Sequence, residues 1–312
     1  MKKVIAAVVY IAFITVFLPM IIICISDKIN TEEKKEYISV YIDGEDRVEK
    51  MNVSQYLKEV TAAEMPADFH IEALKAQAVA ARTYLRYKIK KGNYPPEHKG
   101  APICTDYHHC KAWLSEKERK NAWQEDKRAQ YWDKISKAVD ETEGKIMMYD
   151  GEPINAVFHS TSSGMTENAK DVWGGDVAYL VSVDSRGDEL SPKFSSEFSC
   201  SADEYKKRIF EKIPSADDKC EPYSDIQRST AGGIIQMKVY GVQIKGTEFR
   251  SIFDLRSTNV QINSDGSEIK MTVKGNGHGV GMSQYGADYF AREGMTYKDI
   301  LEKYYTGATL SN

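Results

Sequence analysis

One glutamate stands where an apolar helical face ends, a position that favours acid chemistry. The segment 60–69 places Glu64 two residues before Pro66, and proline ends a helix. Leu57, Val60 and Glu64 share one face at helical spacing. Partial burial and the negative end of the helix dipole both disfavour the ionised carboxylate, so its pKa should rise toward that of a general acid. The alternative is an ordinary helix-terminal glutamate that reaches water.

A second predicted helix, at residues 71–90, carries polar side chains on an alanine-rich surface. Lys75, Gln77 and Arg82 lie among alanines, whose small side chains let another backbone approach closely. Such a helix can form one wall of a cleft that presents these polar groups. The alternative is that the alanines serve helix propensity and the charges face solvent.

A third group of residues has the types and spacing of metal ligands. His98, Cys104 and Cys110 follow an H-x5-C-x5-C pattern. Imidazole and thiolate groups bind zinc, and a closed tetrahedral site of four ligands is structural. His109 is the predicted fourth ligand, with His108 left open. Two alternatives remain, namely a disulfide between the cysteines and a catalytic site with three ligands and a water.

Two segments rich in glycine and small polar residues are further candidates for a binding groove. They span 158–175 and 273–287, and in the second, glycines at alternate positions leave one bare face on an extended chain. Neither G-x-G-x-x-G nor G-x-S-x-G occurs in them, which argues against a dinucleotide site and a nucleophile elbow. The alternative is tight packing of sheet against helix. Their candidate contacts are Ser160, Thr161, His278 and Ser283.

Strands and helices segregate along the chain instead of alternating, which predicts an α+β fold with antiparallel sheet. Helices are predicted at 53–65 and 71–90, and one more at 283–305. A hairpin is predicted at 144–158, because Asp150 and Gly151 suit a tight turn. Alternating short runs at 234–275 predict further sheet.

The N-terminus has the features of a membrane anchor. Residues 4–25 carry no charge and are long enough to span a bilayer as a helix. Lys2 and Lys3 favour a cytoplasmic N-terminus, which would leave the remainder outside the cytoplasm. We therefore predict an anchor at 1–28 and a globular region of one or two lobes at 29–312. Cys200 and Cys220 are a candidate disulfide or two free thiols. The net charge of −4 and the lack of a basic stripe argue against nucleic acid as a partner.

These segments together resemble the SpoIID/LytB family. The resemblance implies a membrane-anchored lytic transglycosylase that cleaves peptidoglycan glycan strands to 1,6-anhydro ends during engulfment in sporulation. It implies that Glu64 is the catalytic acid and base, facing a glycan-binding cleft. The matching motifs are YLKEVTAAEMPADFHIEALKAQAVAARTY, HHCKAW, HSTSSGMTENAKDVWGG and GNGHGVGMSQYGA. The implied glycan contacts are Lys75, Gln77, Arg82, Ser160, Thr161, His278, Ser283, Gln284 and Tyr285.

The resemblance also implies partners and a location. We expect glycan strands as substrate, a cell-wall amidase and other engulfment membrane proteins as partners, and a position between the mother cell and forespore membranes. The sporulation branch of the family shares the His/Cys motif, which is consistent with structural zinc. Three other functions stay open: a non-enzymatic activator of an amidase, a zinc hydrolase, and a hydrolase with Asp171 or Asp176 as second carboxylate.

Overall fold

The computed structural model describes residues 36–107 and 109–311, together with the isolated positions 13, 17 and 20. The predicted anchor at 1–28 therefore lies outside the described residues, apart from those three positions. Among the described residues, no helix is both long and apolar enough to cross a bilayer.

Helices and short strands mix in the described chain, which confirms the α+β class. The α-helices are α1 Val53–Glu64, α2 Ile71–Lys91, α3 Glu116–Ala122, α4 Arg128–Asp140, α5 Ala169–Trp173, α6 Ala202–Lys212, α7 Gly246–Ile252, α8 Gln284–Arg292 and α9 Tyr297–Tyr304. The strands are β1 Tyr37–Ile42, β2 Arg47–Asn52, β3 Ile103–Cys104, β4 Ile146–Tyr149, β5 Glu152–Pro153, β6 Phe158–His159, β7 Ser195–Ser201, β8 Ser224–Arg228, β9 Ile234–Val239, β10 Val242–Lys245, β11 Asn259–Ser264, β12 Glu268–Lys274, β13 Met282–Ser283 and β14 Thr309–Ser311.

Helices α1 and α2 form within one residue of the predicted bounds because local signals set both ends. Asn52 caps the start of α1 by accepting a hydrogen bond from the Gln55 N–H at 3.1 Å. Gly92 ends α2 in the left-handed conformation that glycine adopts without strain. The buried alanines of α2 allow α1, α4, α8 and α9 to pack around it.

The buried apolar side chains form two separate cores, so the described chain has two lobes. The larger core draws on β1 to α5 and on α8 and α9. The smaller core lies within residues 205–273, under the antiparallel sheets β11-β12-β7 and β10-β9-β8. This small lobe is inserted between β6 and β13, which pair in parallel with His159 opposite Ser283. The insertion therefore leaves and returns at one place, beside the candidate site.

The structure differs from the sequence expectations in several places. The predicted helix at 283–305 is two helices, because the chain turns at Gly294 with a φ of 97°. The parallel pairs β1–β3 and β6–β13 depart from the predicted antiparallel sheet. Strands β7 and β8 were not predicted, since most of their residues are polar. The hairpin turn at Asp150 and Gly151 is confirmed, with positive φ at both residues.

Phe249→Ala is expected to destabilise the small lobe. The side chain is fully buried in the smaller core, so its loss should lower the free energy of unfolding by about 3–5 kcal/mol. Urea denaturation would measure the loss, and hydrogen exchange would locate it to residues 195–274. Leu190→Ala, at a side chain 71% exposed, is the control and should change stability by less than about 0.5 kcal/mol. Equal effects of the two substitutions would contradict the buried position of Phe249.

Candidate active site

Glu64 is the last residue of helix α1, and its half-buried carboxyl group meets two distant segments. The Ala112 N–H donates to its Oε1 at 2.8 Å. The Gln284 Nε2 lies 3.5 Å from its Oε2, a long contact. Burial raises the pKa of Glu64, opposed by the charge of Lys111 and by these two donors. The raised pKa is the one that the apolar helical face predicts.

Lys111 is a buried cation beside Glu64 that the sequence analysis did not single out. Its Nζ lies 3.7 Å from the ring centroid of Phe158 and 4.5 Å from that of Tyr84. Burial lowers the pKa of Lys111 to about 8, although the negative charges of Glu64 and Cys110 act in the opposite direction. The only signal in the sequence was its place directly after a predicted metal ligand.

Gln77 and Gln284 are both buried and meet each other beside Glu64. The Gln284 Nε2 lies 3.5 Å from the Gln77 Oε1, as it does from the carboxyl group. The Gln77 Nε2 is buried without a hydrogen-bond partner in the described structure. An unpaired buried amide costs free energy, so this donor is available to a ligand or an ordered water. The structure thus brings two of the predicted contacts to Glu64.

Ser283 is held by a buried aspartate, Asp188, which no motif in the sequence marks. The Ser283 Oγ donates to Asp188 Oδ1 at 2.5 Å. Asp188 Oδ2 accepts from Ser162 at 2.5 Å and from Ser185 at 2.8 Å. The Ser283 Oγ also accepts from the Gly286 N–H and so caps helix α8. Ser283 was predicted to contact glycan, but its hydroxyl is fully buried and fixes the helix that begins with Gln284.

Lys75 and Arg82 are engaged by protein groups away from Glu64. Lys75 forms ion pairs with Glu72 at 2.8 Å and with Glu141 at 2.9 Å. Arg82 is buried, and its guanidinium donates to the carbonyl of Thr142 at 2.7 Å, after the end of helix α4. These contacts favour a structural role for both cations over the predicted glycan contacts.

The other polar residues predicted in the segments 158–175 and 273–287, which we call the first and second loops, differ in how exposed they are. The Thr161 hydroxyl is buried and donates to Ser191 at 2.9 Å. Ser160 is half-buried, and its carbonyl accepts from the Tyr285 N–H at 3.2 Å. The ring of Tyr285 is half-buried and meets Phe69 edge-on at 4.9 Å. Ser160 and Tyr285 are therefore the more accessible of these groups.

His159 of the first loop and His278 of the second lie side by side, with their ring centroids 5.6 Å apart. The His159 Nδ1 is 3.1 Å from the carbonyl of Val280, and its Nε2 is buried without a partner. Burial lowers the pKa of His159 to about 4 and holds that of His278 well below its usual range. The His278 Nδ1 accepts from the Val280 N–H at 3.1 Å. Both imidazoles are therefore uncharged at neutral pH.

The glycines of the second loop allow close packing of the protein on itself. Gly277 and Gly281 both have positive φ. A Cβ on Gly277 would lie 2.8 Å from the Cβ of His159, and one on Gly281 would lie 2.2 Å from the carbonyl oxygen of Val157. The bare faces at these positions are therefore filled by the neighbouring loop, as the packing alternative predicts.

Four predicted ligands converge on one point in the loop before Lys111. The ligand atoms of His98, Cys104, His109 and Cys110 all lie within 4.8 Å of one another, and this cluster could hold a metal ion. The Cys104 Sγ is 3.6 Å from the His109 Nδ1. Zinc bond lengths give roughly the same N–S separation around a tetrahedral ion, and the ligand types fit zinc. The His98 Nε2 and His109 Nδ1 are 2.8 Å apart, closer than two nitrogens bound to one tetrahedral zinc ion, so these rings would separate when the ion binds. His108, the other candidate, lies outside the described residues.

Among the described residues, the cysteines form no disulfide, and neither candidate second carboxylate has a hydrogen bond to Glu64. Cys104 and Cys110 are free thiols, as are Cys200 and Cys220. Asp171, one proposed second carboxylate, accepts instead from the Asn168 side chain at 2.8 Å. Asp176, the other, is exposed.

Glu64→Gln is expected to stabilise the protein at pH 7. Burial raises the pKa of Glu64 in the folded protein above its value in the unfolded chain. The wild-type protein therefore keeps its full stability below the unfolded pKa and loses part of it as the pH rises through the folded pKa, whereas glutamine has no charge to bury. The gain in free energy of unfolding should therefore vanish below pH about 4.3, where the unfolded glutamate is also protonated. Thermal denaturation across this pH range would measure it.

Glu118→Gln is the control of opposite sign. Hydrogen bonds from Ser115 lower the pKa of Glu118, so this carboxylate supports folding above its unfolded pKa. Its substitution should lower stability at pH 7. A Glu64→Gln protein that is less stable than wild type at pH 7 would show that burial does not raise the pKa of the Glu64 carboxyl group.

Comparison with known proteins places this site in a family. The SpoIID family profile, described as "Stage II sporulation protein", matches residues 41–149, which include Glu64 and the metal-ligand cluster. The chain is 36% identical to stage II sporulation protein D of Bacillus amyloliquefaciens, across 90% of this chain and 80% of that protein.

Two proteins of Bacillus subtilis (strain 168) are also similar. Stage II sporulation protein D is 37% identical, across 88% of this chain and 78% of its own length. The protein named "Amidase enhancer" is 29% identical, across 82% of this chain and 40% of its own. From the profile match and the identity over most of both stage II sporulation proteins D, the chain belongs to the SpoIID family of stage II sporulation proteins.

Proposed function

We propose that the protein is a lytic transglycosylase that cleaves the MurNAc–GlcNAc bond of peptidoglycan glycan strands during sporulation. The supporting observation is the carboxyl group of Glu64, which has a raised pKa and whose hydrogen bonds, in the described part of the chain, come from the Ala112 N–H and Gln284. Hydrolytic glycosidases need a second carboxylate to activate water or act as nucleophile. A lytic transglycosylase needs one, because the substrate supplies its own nucleophile.

Glu64 would act first as acid and then as base. Its proton passes to the glycosidic oxygen as the bond from that oxygen to the MurNAc anomeric carbon breaks. The MurNAc 6-hydroxyl then forms a bond to the same carbon, and its proton returns to the Glu64 carboxylate. The products are a free GlcNAc hydroxyl and a 1,6-anhydro end, with no water consumed and Glu64 restored.

The groups around Glu64 suit both halves of this cycle. Burial raises the pKa of the carboxyl group and so favours the protonated form that an acid needs before the reaction. The Ala112 N–H and the charge of Lys111 favour the carboxylate that forms after proton transfer. Gln284 and Gln77 offer amide groups to a bound sugar beside the carboxyl group.

We propose zinc in the cluster of His98, Cys104, His109 and Cys110, in a structural role. When bound, the ion would cross-link a loop that has little regular structure of its own. The chain leaves this cluster at Cys110 and reaches Lys111 and Ala112 at once. The cluster would therefore hold the donor that faces Glu64, while all four protein ligands leave no open position for substrate.

We propose that the protein is held at the cell membrane by an anchor at residues 1–28, with the described lobes between the mother cell and forespore membranes. Its partners there would be glycan strands, a cell-wall amidase and other engulfment membrane proteins. One relative is named "Amidase enhancer", so a non-enzymatic, glycan-binding activator of an amidase is the second candidate function.

Glu64→Gln is expected to lower the release of 1,6-anhydro products by about 10²–10⁴-fold, the usual contribution of a general acid–base. Mass spectrometry of purified peptidoglycan digested by the full chain, without an amidase, would measure it. Glu118→Gln should leave the rate unchanged, because that exposed carboxylate caps helix α3. Wild-type products with reducing ends would contradict the reaction type. No cleavage at all by the wild type would favour the amidase activator.

Removal of the metal, or Cys104→Ser, is expected to lower the melting temperature by about 4–8 °C, the shift that a loss of roughly 2 kcal/mol causes in a protein of this size. Differential scanning calorimetry with and without chelator would measure it, and Cys200→Ser is the matched control on the small lobe. A chelator that stops cleavage without shifting the melting temperature would favour the zinc hydrolase. A shift caused by reductant and not by chelator would favour the disulfide.

A further inference from the structure

Glu59 is a buried glutamate of helix α1 that the proposed reaction does not use. Its side chain is 7% exposed, and it lies five residues before Glu64 on the same helix. A buried carboxyl group costs free energy unless its oxygens are hydrogen-bonded. The donors that satisfy Glu59 therefore show which part of the chain this residue holds.

Both oxygens of Glu59 accept hydrogen bonds, and two of the donors come from the chain just after the metal-ligand cluster. The Trp113 Nε1 donates to Oε2 at 2.8 Å, and the Glu116 N–H donates to Oε1 at 3.1 Å. A further donor to Oε1, at 3.0 Å, is the Gln55 Nε2, one turn earlier in helix α1. Glu59 thus binds the segment 112–116 at two points.

The same segment carries the donor that faces Glu64. The Ala112 N–H donates to the Glu64 Oε1 at 2.8 Å, one residue before Trp113. In the described structure, residues 111–115 belong to no helix or strand, so no regular backbone ladder fixes their position. The two glutamates are about 7.5 Å apart along the axis of α1, since each residue adds about 1.5 Å. One helix therefore holds this irregular stretch near both of its ends.

Ala112 lies between two attachment points. Cys110, two residues earlier, belongs to the metal-ligand cluster, and Trp113, the next residue, bonds to Glu59. A hydrogen bond weakens steeply when its distance or direction changes. Loss of the attachment at Trp113 should therefore weaken the bond from the Ala112 N–H to Glu64.

We infer that Glu59 is a positioning residue, which holds the Ala112 N–H against the Glu64 carboxyl group. It acts through Trp113 and Glu116, and its burial keeps it from contact with the glycan. This inference rests on the proposed role of Glu64 in proton transfer. The alternative is that Glu59 only stabilises the fold, in which case its loss would lower the melting temperature and leave the titration of Glu64 unchanged.

Glutamine cannot reproduce the contacts of Glu59. It has one acceptor oxygen, and its NH₂ group donates. In Glu59→Gln that NH₂ group would face the Trp113 Nε1–H or the Glu116 N–H, donor against donor. The segment 112–116 therefore loses at least one attachment. Trp113→Phe removes the indole donor alone and keeps an aromatic ring.

The first test measures cleavage of soluble glycan strands by the full chain. Glu59→Gln and Trp113→Phe should each lower kcat by about tenfold with KM unchanged, which is less than the roughly 10²–10³-fold loss on complete removal of a donor to a developing charge. Trp123→Phe, at a half-buried tryptophan packed on Tyr131, is the matched control and should leave kcat unchanged. If Glu59→Gln does not fold, Trp113→Phe decides the outcome.

A second measurement needs no substrate. NMR of isotope-labelled glutamate side chains follows the carboxyl group of Glu64 as the pH changes, and Glu64→Gln identifies its signal. The Ala112 N–H and the charge of Lys111, on the same stretch of chain, both favour the Glu64 carboxylate. Loosening this stretch should therefore raise the pKa of Glu64 further in Trp113→Phe and leave it unchanged in Trp123→Phe.

The titration also separates this inference from the proposed function. An unchanged pKa of Glu64 in a folded Trp113→Phe protein would overturn the inference, whatever happens to the rate, and so would an unchanged kcat in both variants of an active enzyme. A raised pKa of Glu64 in a protein that releases no 1,6-anhydro ends would keep the positioning of the Ala112 N–H and remove the transglycosylase.

Discussion

The hydrogen bond from the Ala112 N–H to Glu64 is the contact on which the rest of the site depends. It joins the end of helix α1 to the chain that has just left the metal-ligand cluster. On the other oxygen, Gln284 arrives from 220 residues further along the sequence. The carboxyl group thus lies where three remote segments meet. Its protonation is a balance in which burial favours the neutral form and each neighbour favours the charged one.

Features of the fold and the site could be predicted from the sequence where residues close together in the chain determine them. The helix bearing Glu64 and the metal-ligand cluster were predictable, because helical spacing and ligand chemistry act over short stretches. Asp188 was not, since two of its three serine donors, Ser162 and Ser283, are distant in sequence and no short pattern marks it. Arg82 was predicted as a glycan contact, and the structure shows its guanidinium bound to the carbonyl of Thr142, a contact that the sequence pattern does not reveal.

The larger lobe contains the candidate site, and the small lobe packs against one of its loops. The larger core carries Glu64 and its neighbours, while the small lobe contacts the first loop from outside. Ser163 donates to the carbonyl of Ala231 at 2.9 Å, and the Glu167 carboxylate accepts from the Gly233 N–H at 3.1 Å. Burial raises the pKa of Glu167 as well, so a second protonatable group lies at the junction of the lobes. The small lobe thereby supports the loop that carries His159 and Ser160.

The parallel pairing of β6 with β13 also bears on how the chain acquires its structure. The Ser283 hydroxyl and the Ser160 carbonyl are 123 residues apart in sequence, so their approach closes a long segment and costs chain entropy. Long-range pairing of this kind forms slowly compared with helices. Helix α1 can fold early, yet Gln284 reaches it only after a further 220 residues have been synthesised. A nascent chain that ends before residue 284 would therefore hold Glu64 with the Ala112 N–H but without Gln284.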